Sequence, residues 1–293
     1  MRALAVLVAA AALVAACAAT KKPVVPADQL WKEGNQAFQD EAWELAVERY
    51  KALLDQHPFD ANAEEAELKI AQAHYLAHRY AEAIAAFGDF ERMHPTSPNL
   101  ALVEYHLGMS YLEQSSTSDR DQQSATNALT YFRNLTDRFP TSPWAEKARL
   151  RVRECRESLA RHETDVAAWY LRHRNLLAAE ARLRGLLREY PETDATAEAL
   201  HTFAEFYAGR NEKDEVRLAL ATLARHHPDG PLAAEARERL GRTTDDVDGP
   251  DPLPLLVARL EAMASQSDRQ NVPVVVSAYP NQPPTTKPAL SPY

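Results

Sequence analysis

The chain has 293 residues, eight glycines against nineteen prolines, and a formal net charge of −9. So few glycines argue against the turn-rich sheets of an all-β fold and against phosphate-cradling loops, and none of G-x-x-x-x-G-K, G-x-G-x-x-G or G-x-S-x-G occurs. The acidic balance without a basic block argues against nucleic acid as a partner. The ten histidines include no H-E-x-x-H, His162-Glu163 being the nearest approach, so no metal site is expected.

The first element is an address. Arg2 is followed by fourteen apolar residues, Ala3 to Ala16. That run is shorter than the roughly 20 residues that span a bilayer and has the length of a signal-peptide core. It ends in Val14-Ala15-Ala16-Cys17, which resembles the bacterial lipobox. The resemblance implies a signal peptide over 1–16, cleavage before Cys17, and acylation of that cysteine, so the one cofactor expected is a covalent lipid. Several acyl chains on one residue give a stable membrane anchor. Ala18, where lipoproteins kept in the inner membrane carry Asp, favours the outer membrane. Residues 17–27 then read as a lipidated tether. An ordinary signal peptide with an incidental cysteine is the plainer alternative. Cys155, the other cysteine, falls in the series Ala145, Ala148, Val152, Cys155, Leu159 and reads as a small buried apolar residue.

From Asp28 the apolar spacing is that of helices, and a stop recurs: HPFD, HPTS, FPTS, YPET and HPDG, with prolines at 58, 95, 140, 191 and 228. Proline cannot continue a helix and moves the residue before it out of the helical region. Starts follow the stops: Asp60, Ser97-Pro98, Ser142-Pro143, Asp194 and Gly230-Pro231 have capping chemistry. The intervals of 37, 45, 51 and 37 residues signal a repeat array. Repeat one contributes Gly34, Ala46, Tyr50, Leu53 and Pro58, and repeat two Ala71, Ala83, Phe87, Phe90 and Pro95. Small residues let two helix backbones approach, and the aromatic residue four places after the alanine fills the space beside them.

Repeat three is split, with Gly108 and Tyr111 in its first helix and Ala128, Phe132, Leu135 and Pro140 in its second. Extra residues around SSTSDRDQ, 115–122, separate the halves. The 51-residue interval leaves room for one more helix, Pro143 to about Arg161, able to run on into the first helix of repeat four. Repeat four carries Ala167, Tyr170, Ala179, Leu183 and Leu186, and repeat five Ala204, Tyr207, Val216, Leu220 and Leu223. This pattern resembles the tetratricopeptide repeat. The expected fold is all-α: a superhelix of about five such repeats with one inserted helix, divided into repeats 1–2 over 28–95 and repeats 3–5 with a capping helix over 96–241. Such arrays bind peptides and helices. Acidic residues fall on expected outer faces rather than as a pair in a cleft, so no catalytic residue is assigned.

From Arg242 the composition shifts, and nine of the nineteen prolines lie between Pro250 and Pro292. A disordered, Pro-rich tail over 242–293 is expected, interrupted by a short helix at 253–265 in which Leu253, Leu256, Val257, Leu260 and Met263 have helical spacing. That helix either docks on the last repeat or binds a partner. Val272 to Tyr279 has strand-like composition.

Together, the lipobox, the five repeats and the SDRD insertion resemble the outer-membrane assembly lipoprotein family BamD, also called ComL. HPTSPN (94–99), SDRDQQSATNAL (118–129), TDVAAWY (164–170) and LLREYPETDAT (186–196) carry the likeness, which covers about 28–227. The resemblance implies a non-catalytic, lipid-anchored subunit on the periplasmic face of the outer membrane. Its implied partners are the last POTRA domain of the barrel subunit BamA, unfolded barrel proteins and other Bam lipoproteins. Arg182 occupies the position at which the family's arginine pairs with an acidic residue of that POTRA domain; a solvated helix face shared with Arg184 and Arg188 is the rival reading. Asp119, Arg120 and Asp121, in the insertion, are assigned either to helix capping and local pairing or to a BamA contact. Phe59, Tyr75 and Tyr80 are nominated as the groove for the aromatic end of a barrel strand, with core packing as the alternative, above all for Tyr75. A lipid-anchored pilotin assisting a secretin or pilus is the alternative function.

Overall fold

The structure is a computed structural model that describes residues 24–116, 122–241 and 249–269. Among these residues there are twelve helices and no strand. The chain divides into two compact units, one ending at Pro95 and the other beginning at Thr96. Cys17, Asp119, Arg120, Asp121 and the segment 272–279 lie outside the described residues.

The first unit contains α1 (Ala27–Gln39), α2 (Trp43–Gln56), α3 (Ala63–Leu76) and α4 (Tyr80–Met93), each packed against the next. The stops act as the prolines require: α2 and α4 end two residues before Pro58 and Pro95, and His57 and His94 have left the helical region with ψ of 61°. Inside each pair the turn is tighter. Glu41 and His78 have φ of 57° and 58°. Ala42 N–H bonds the Ala37 carbonyl at 2.9 Å while Glu41 N–H bonds Phe38, and Arg79 and His78 repeat this with His74 and Tyr75. These are left-handed C-terminal caps in which the backbone closes back on the last helical turn. Leu30, Ala37, Ala46, Tyr50, Leu53, Ala66 and Ile70 form the buried cluster of α1–α3, with the Tyr50 hydroxyl donating to Asn35 Oδ1 at 2.8 Å. Burial, with Glu65 nearby, pushes the Tyr50 phenol up to about 12.

The second unit contains α5 (Leu100–Ser116), α6 (Gln122–Arg138), α7 (Pro143–Arg172), α8 (Leu176–Glu189), α9 (Asp194–Gly209), α10 (Lys213–His226), α11 (Pro231–Leu240) and α12 (Pro252–Arg269). The inserted helix and the first helix of repeat four are one 30-residue rod, α7, capped by Ser142 with Pro143 in its first turn. Its buried positions, from Ala145, Ala148 and Cys155 to Ala167 and Leu171, follow one helical stripe. It packs on α5 and α6 and on α8 and α9. Burial pushes the Cys155 thiol up to about 11, so it packs as a neutral group. Arg174 and Asn211, with φ of 59° and 61°, make the same left-handed turns before α8 and α10 as Glu41 and His78 make in the first unit.

The starts differ from the sequence expectation at three places. Asp60 does not cap α3 directly; it folds an Asx turn, accepting from Asn62 N–H at 2.9 Å, and the helix begins at Ala63. Ser97-Pro98 likewise lies ahead of α5, with Ser97 Oγ accepting from Asn99 N–H at 3.2 Å. Asp194 is the first residue of α9 rather than its cap, a role taken by Thr193. The N-terminus of α9 is also met by α7, where the two Glu157 oxygens accept from Asp194 and Ala195 N–H at 2.9 and 3.1 Å. A carboxylate there complements both the free donors and the helix dipole.

The expected short helix at 253–265 is longer, Pro252–Arg269, and it belongs to the core. Asp251 Oδ1 accepts from Leu253 N–H at 3.0 Å, and Pro252 and Pro254 sit in the first turn, where no helical N–H is needed. Leu256 and Leu260 are fully buried in the same cluster as Leu183, Leu187, Leu220 and Leu223. Burying each leucine contributes roughly 1.5–3 kcal/mol.

Candidate functional site

The two sets of nominated residues fall in different units. In the first, Tyr75 closes α3 and Tyr80 opens α4, so the left-handed turn at His78 folds one ring against the other. Their centroids are 5.9 Å apart in an edge arrangement, and the Tyr80 hydroxyl lies 2.7 Å from His78 Nδ1. Both tyrosines are half-buried rather than core residues. Phe59 is 99% exposed in the turn ahead of α3, at the opposite end of that helix. A 14-residue helix is about 20 Å long, so Phe59 does not join the tyrosine pair. Leu76, partly exposed, follows Tyr75. The structure thus offers an aromatic pair at one end of α3 and a lone exposed ring at the other.

In the second unit the three arginines of α8 do not share one face. Asn175 caps this helix, accepting from Ala178 N–H at 3.2 Å. Leu183, Leu186 and Leu187 turn into the core. Arg182 lies toward α7, where its Nη1 donates to both oxygens of Glu163 at 2.9 and 3.2 Å. The Arg182 side chain is 32% exposed, so it is partly open to solvent while a carboxylate of its own chain holds one of its nitrogens. Arg184 and Arg188 lie four residues apart on another face, under α12. Arg184 Nη1 donates to the Leu260 carbonyl at 3.2 Å, and Arg188 pairs with Glu261.

Around this face lies a set of acidic groups that sequence reasoning missed. Glu180, on α8, is buried and accepts from the Tyr207 hydroxyl at 3.0 Å. Burial holds its carboxyl above the ordinary carboxylate range, with Glu212 and Glu215 adding in the same direction. Glu215, on α10, is buried and takes both Nε and Nη2 of Arg259 from α12 on one oxygen, at 2.9 and 2.7 Å. Nothing in the spacing of Glu180 or Glu215 marks them. The signal that was available is the run Leu256-Val257-Ala258-Arg259-Leu260-Glu261, which puts two leucines on one stripe and opposite charges beside them. One other group of ligand type exists among the described residues, His201, Glu205 and Glu235, with ligand atoms within 4.8 Å of one another. Arg239 pairs with both of its carboxylates and supplies the positive charge there.

Paired helices closed by left-handed turns, with a small residue under an aromatic ring, define a tetratricopeptide-type helical array. The sequence matches the YfiO family, described as outer membrane lipoprotein, over residues 23–223. The chain belongs to this family. It is 31% identical to the outer membrane protein assembly factor BamD of Caulobacter vibrioides over 224 residues, covering 74% of this chain and 73% of that protein. It is also 31% identical to BamD of Vibrio cholerae, covering 63% of this chain and 81% of that one, and 30% identical to BamD of Haemophilus influenzae, covering 69% and 81%.

Proposed function

We propose that this chain serves outer membrane protein assembly as a non-catalytic adaptor, anchored by lipid on Cys17. In this reading the second unit holds the last POTRA domain of BamA through Arg182, with Asp119, Arg120 and Asp121 as a further contact. The first unit receives unfolded barrel proteins at Tyr75 and Tyr80, with Phe59 as a separate apolar contact. The observation that carries the reading is the family match across both units, joined to a partly exposed Arg182 in the run that resembles the family's. Arginine suits a partner carboxylate because its planar fork makes two parallel bonds, and Glu163 uses only one nitrogen of that fork.

Pull-down of the tagged full chain from detergent-solubilised envelopes, read by mass spectrometry, tests it. Recovery of BamA and the other Bam lipoproteins is expected. Recovery of a secretin without BamA would replace the adaptor role with that of a pilotin.

A further inference from the structure

The face formed by α8 and α10 is occupied by a piece of the chain that stands apart from the family core. The family match ends at residue 223, before α12, and residues 242–248 join that helix to α11. What α12 presents to α8 is chemically narrow. Arg184 receives a carbonyl oxygen, that of Leu260, and Arg188 receives a carboxylate, that of Glu261. Leu256 and Leu260 fill the apolar strip between α8 and α10, and Arg259 answers Glu215 on the far side. The N-terminal end is tied by His226 to Asp251 at 2.8 Å and by Arg225 to the Gly249 carbonyl at 3.1 Å. The seat therefore reads a short helix by two leucines and by acceptors placed over two arginines.

The hold has a weak and a strong part. The Arg188–Glu261 side chains are 55% and 45% exposed, and pairs in that setting contribute little. The two buried leucines carry most of the docking. A partner surface with its own apolar and acidic groups meets the same recognition elements that α12 uses. Arg182, two residues before Arg184 on the same helix, lies outside the covered face. A partner already held at Arg182 would stand beside this seat.

We infer that α12 is a resident ligand of the α8–α10 face, and that an acidic, apolar protein surface docking along α8 displaces it to reach Arg184 and Arg188. The inference rests on the adaptor reading above and adds competition from within the chain. Release of a resident ligand raises the apparent affinity by the inverse of the fraction of time the seat stood open.

Hydrogen exchange of the full chain, with and without a purified BamA POTRA fragment, tests the displacement directly. Amides of α12 are expected to exchange faster when the fragment is bound; unchanged or greater protection overturns the inference. The variant Arg259→Glu sets two carboxylates against each other, and Leu256→Asp with Leu260→Asp removes the apolar hold. Both are expected to speed exchange in α12 and to tighten fragment binding by about fivefold, the lower end of ordinary coupling. Binding that weakens or stays constant while α12 is released means the helix is a fixed part of the fold, and the inference falls alone. No fragment binding by any form, released or not, removes the adaptor reading and this inference with it.

Discussion

Gly34 on α1 and Tyr50 on α2 approach so closely that a Cβ on the glycine would come 2.7 Å from Tyr50 Cε1. Gly108 and Phe132 repeat the relationship at 2.6 Å in the second unit. Both rings are fully buried. Gly34→Ala is therefore expected to destabilise, since overpacking costs about 1–3 kcal/mol and exceeds the gain of about 1 kcal/mol in helix propensity. Gly88, on α4, has nothing within 4 Å of where a Cβ would sit, so Gly88→Ala is expected to stabilise, by about 0.5–1 kcal/mol. Denaturant unfolding of the two variants should show shifts of opposite sign.

Arg182→Glu should separate partner binding from folding. The side chains of the pair with Glu163 are about one-third exposed and the pair contributes at most about 1 kcal/mol, so far-ultraviolet circular dichroism should be unchanged. Copurification of BamA is expected to fall about tenfold or more, because the variant sets a carboxylate against an acidic partner. Undiminished copurification would remove Arg182 from the interface.

The buried Glu180 makes stability depend on pH in a direction opposite to that of a salt-bridged carboxylate. Burial raises its folded-state pKa above the unfolded value. Between the two values the folded state binds more protons, so its contribution is best at acid pH and is lost as pH rises through the folded value. Glu180→Gln keeps an oxygen to accept from Tyr207 and removes the charge. It is expected to raise the Tm at neutral pH, and the gain should vanish as pH falls below the ordinary carboxylate range. Thermal unfolding of both proteins across that span provides the check.

Cys17→Ala is expected to abolish membrane fractionation while leaving the helical array folded. Envelope fractionation with immunodetection reads the first, and circular dichroism of the soluble variant the second. The same amount of variant and natural protein in outer-membrane fractions would overturn the lipid anchor.

Much of the array is legible because its stops are chemical. His57, His94, Tyr190 and His227 leave the helix just before a proline, and proline acts through sterics that no tertiary contact reverses. The turns inside each pair are not legible, because Glu41, His78, Arg174 and Asn211 hold left-handed positions that glycine would advertise. Asp60 stands two residues ahead of the capping position Asn62, because Asx turns and helix caps use the same side chains. The pairing of Arg182 with Glu163, nineteen residues away, is not legible, because nothing in the spacing of α7 and α8 marks it. The covering of Arg184 and Arg188 depends on a segment more than seventy residues downstream, which only the folded chain brings to them.

The 30-residue α7 spans about 45 Å and is shared by repeat three, repeat four and the N-terminal donors of α9. Ordinary solenoids melt in a graded way, module by module, because each module touches only its neighbours. Here one splint belongs to three modules at once. Heat should therefore open this portion of the molecule in a single sharp step, and a lever applied at one end of the splint would be felt undiminished at the other.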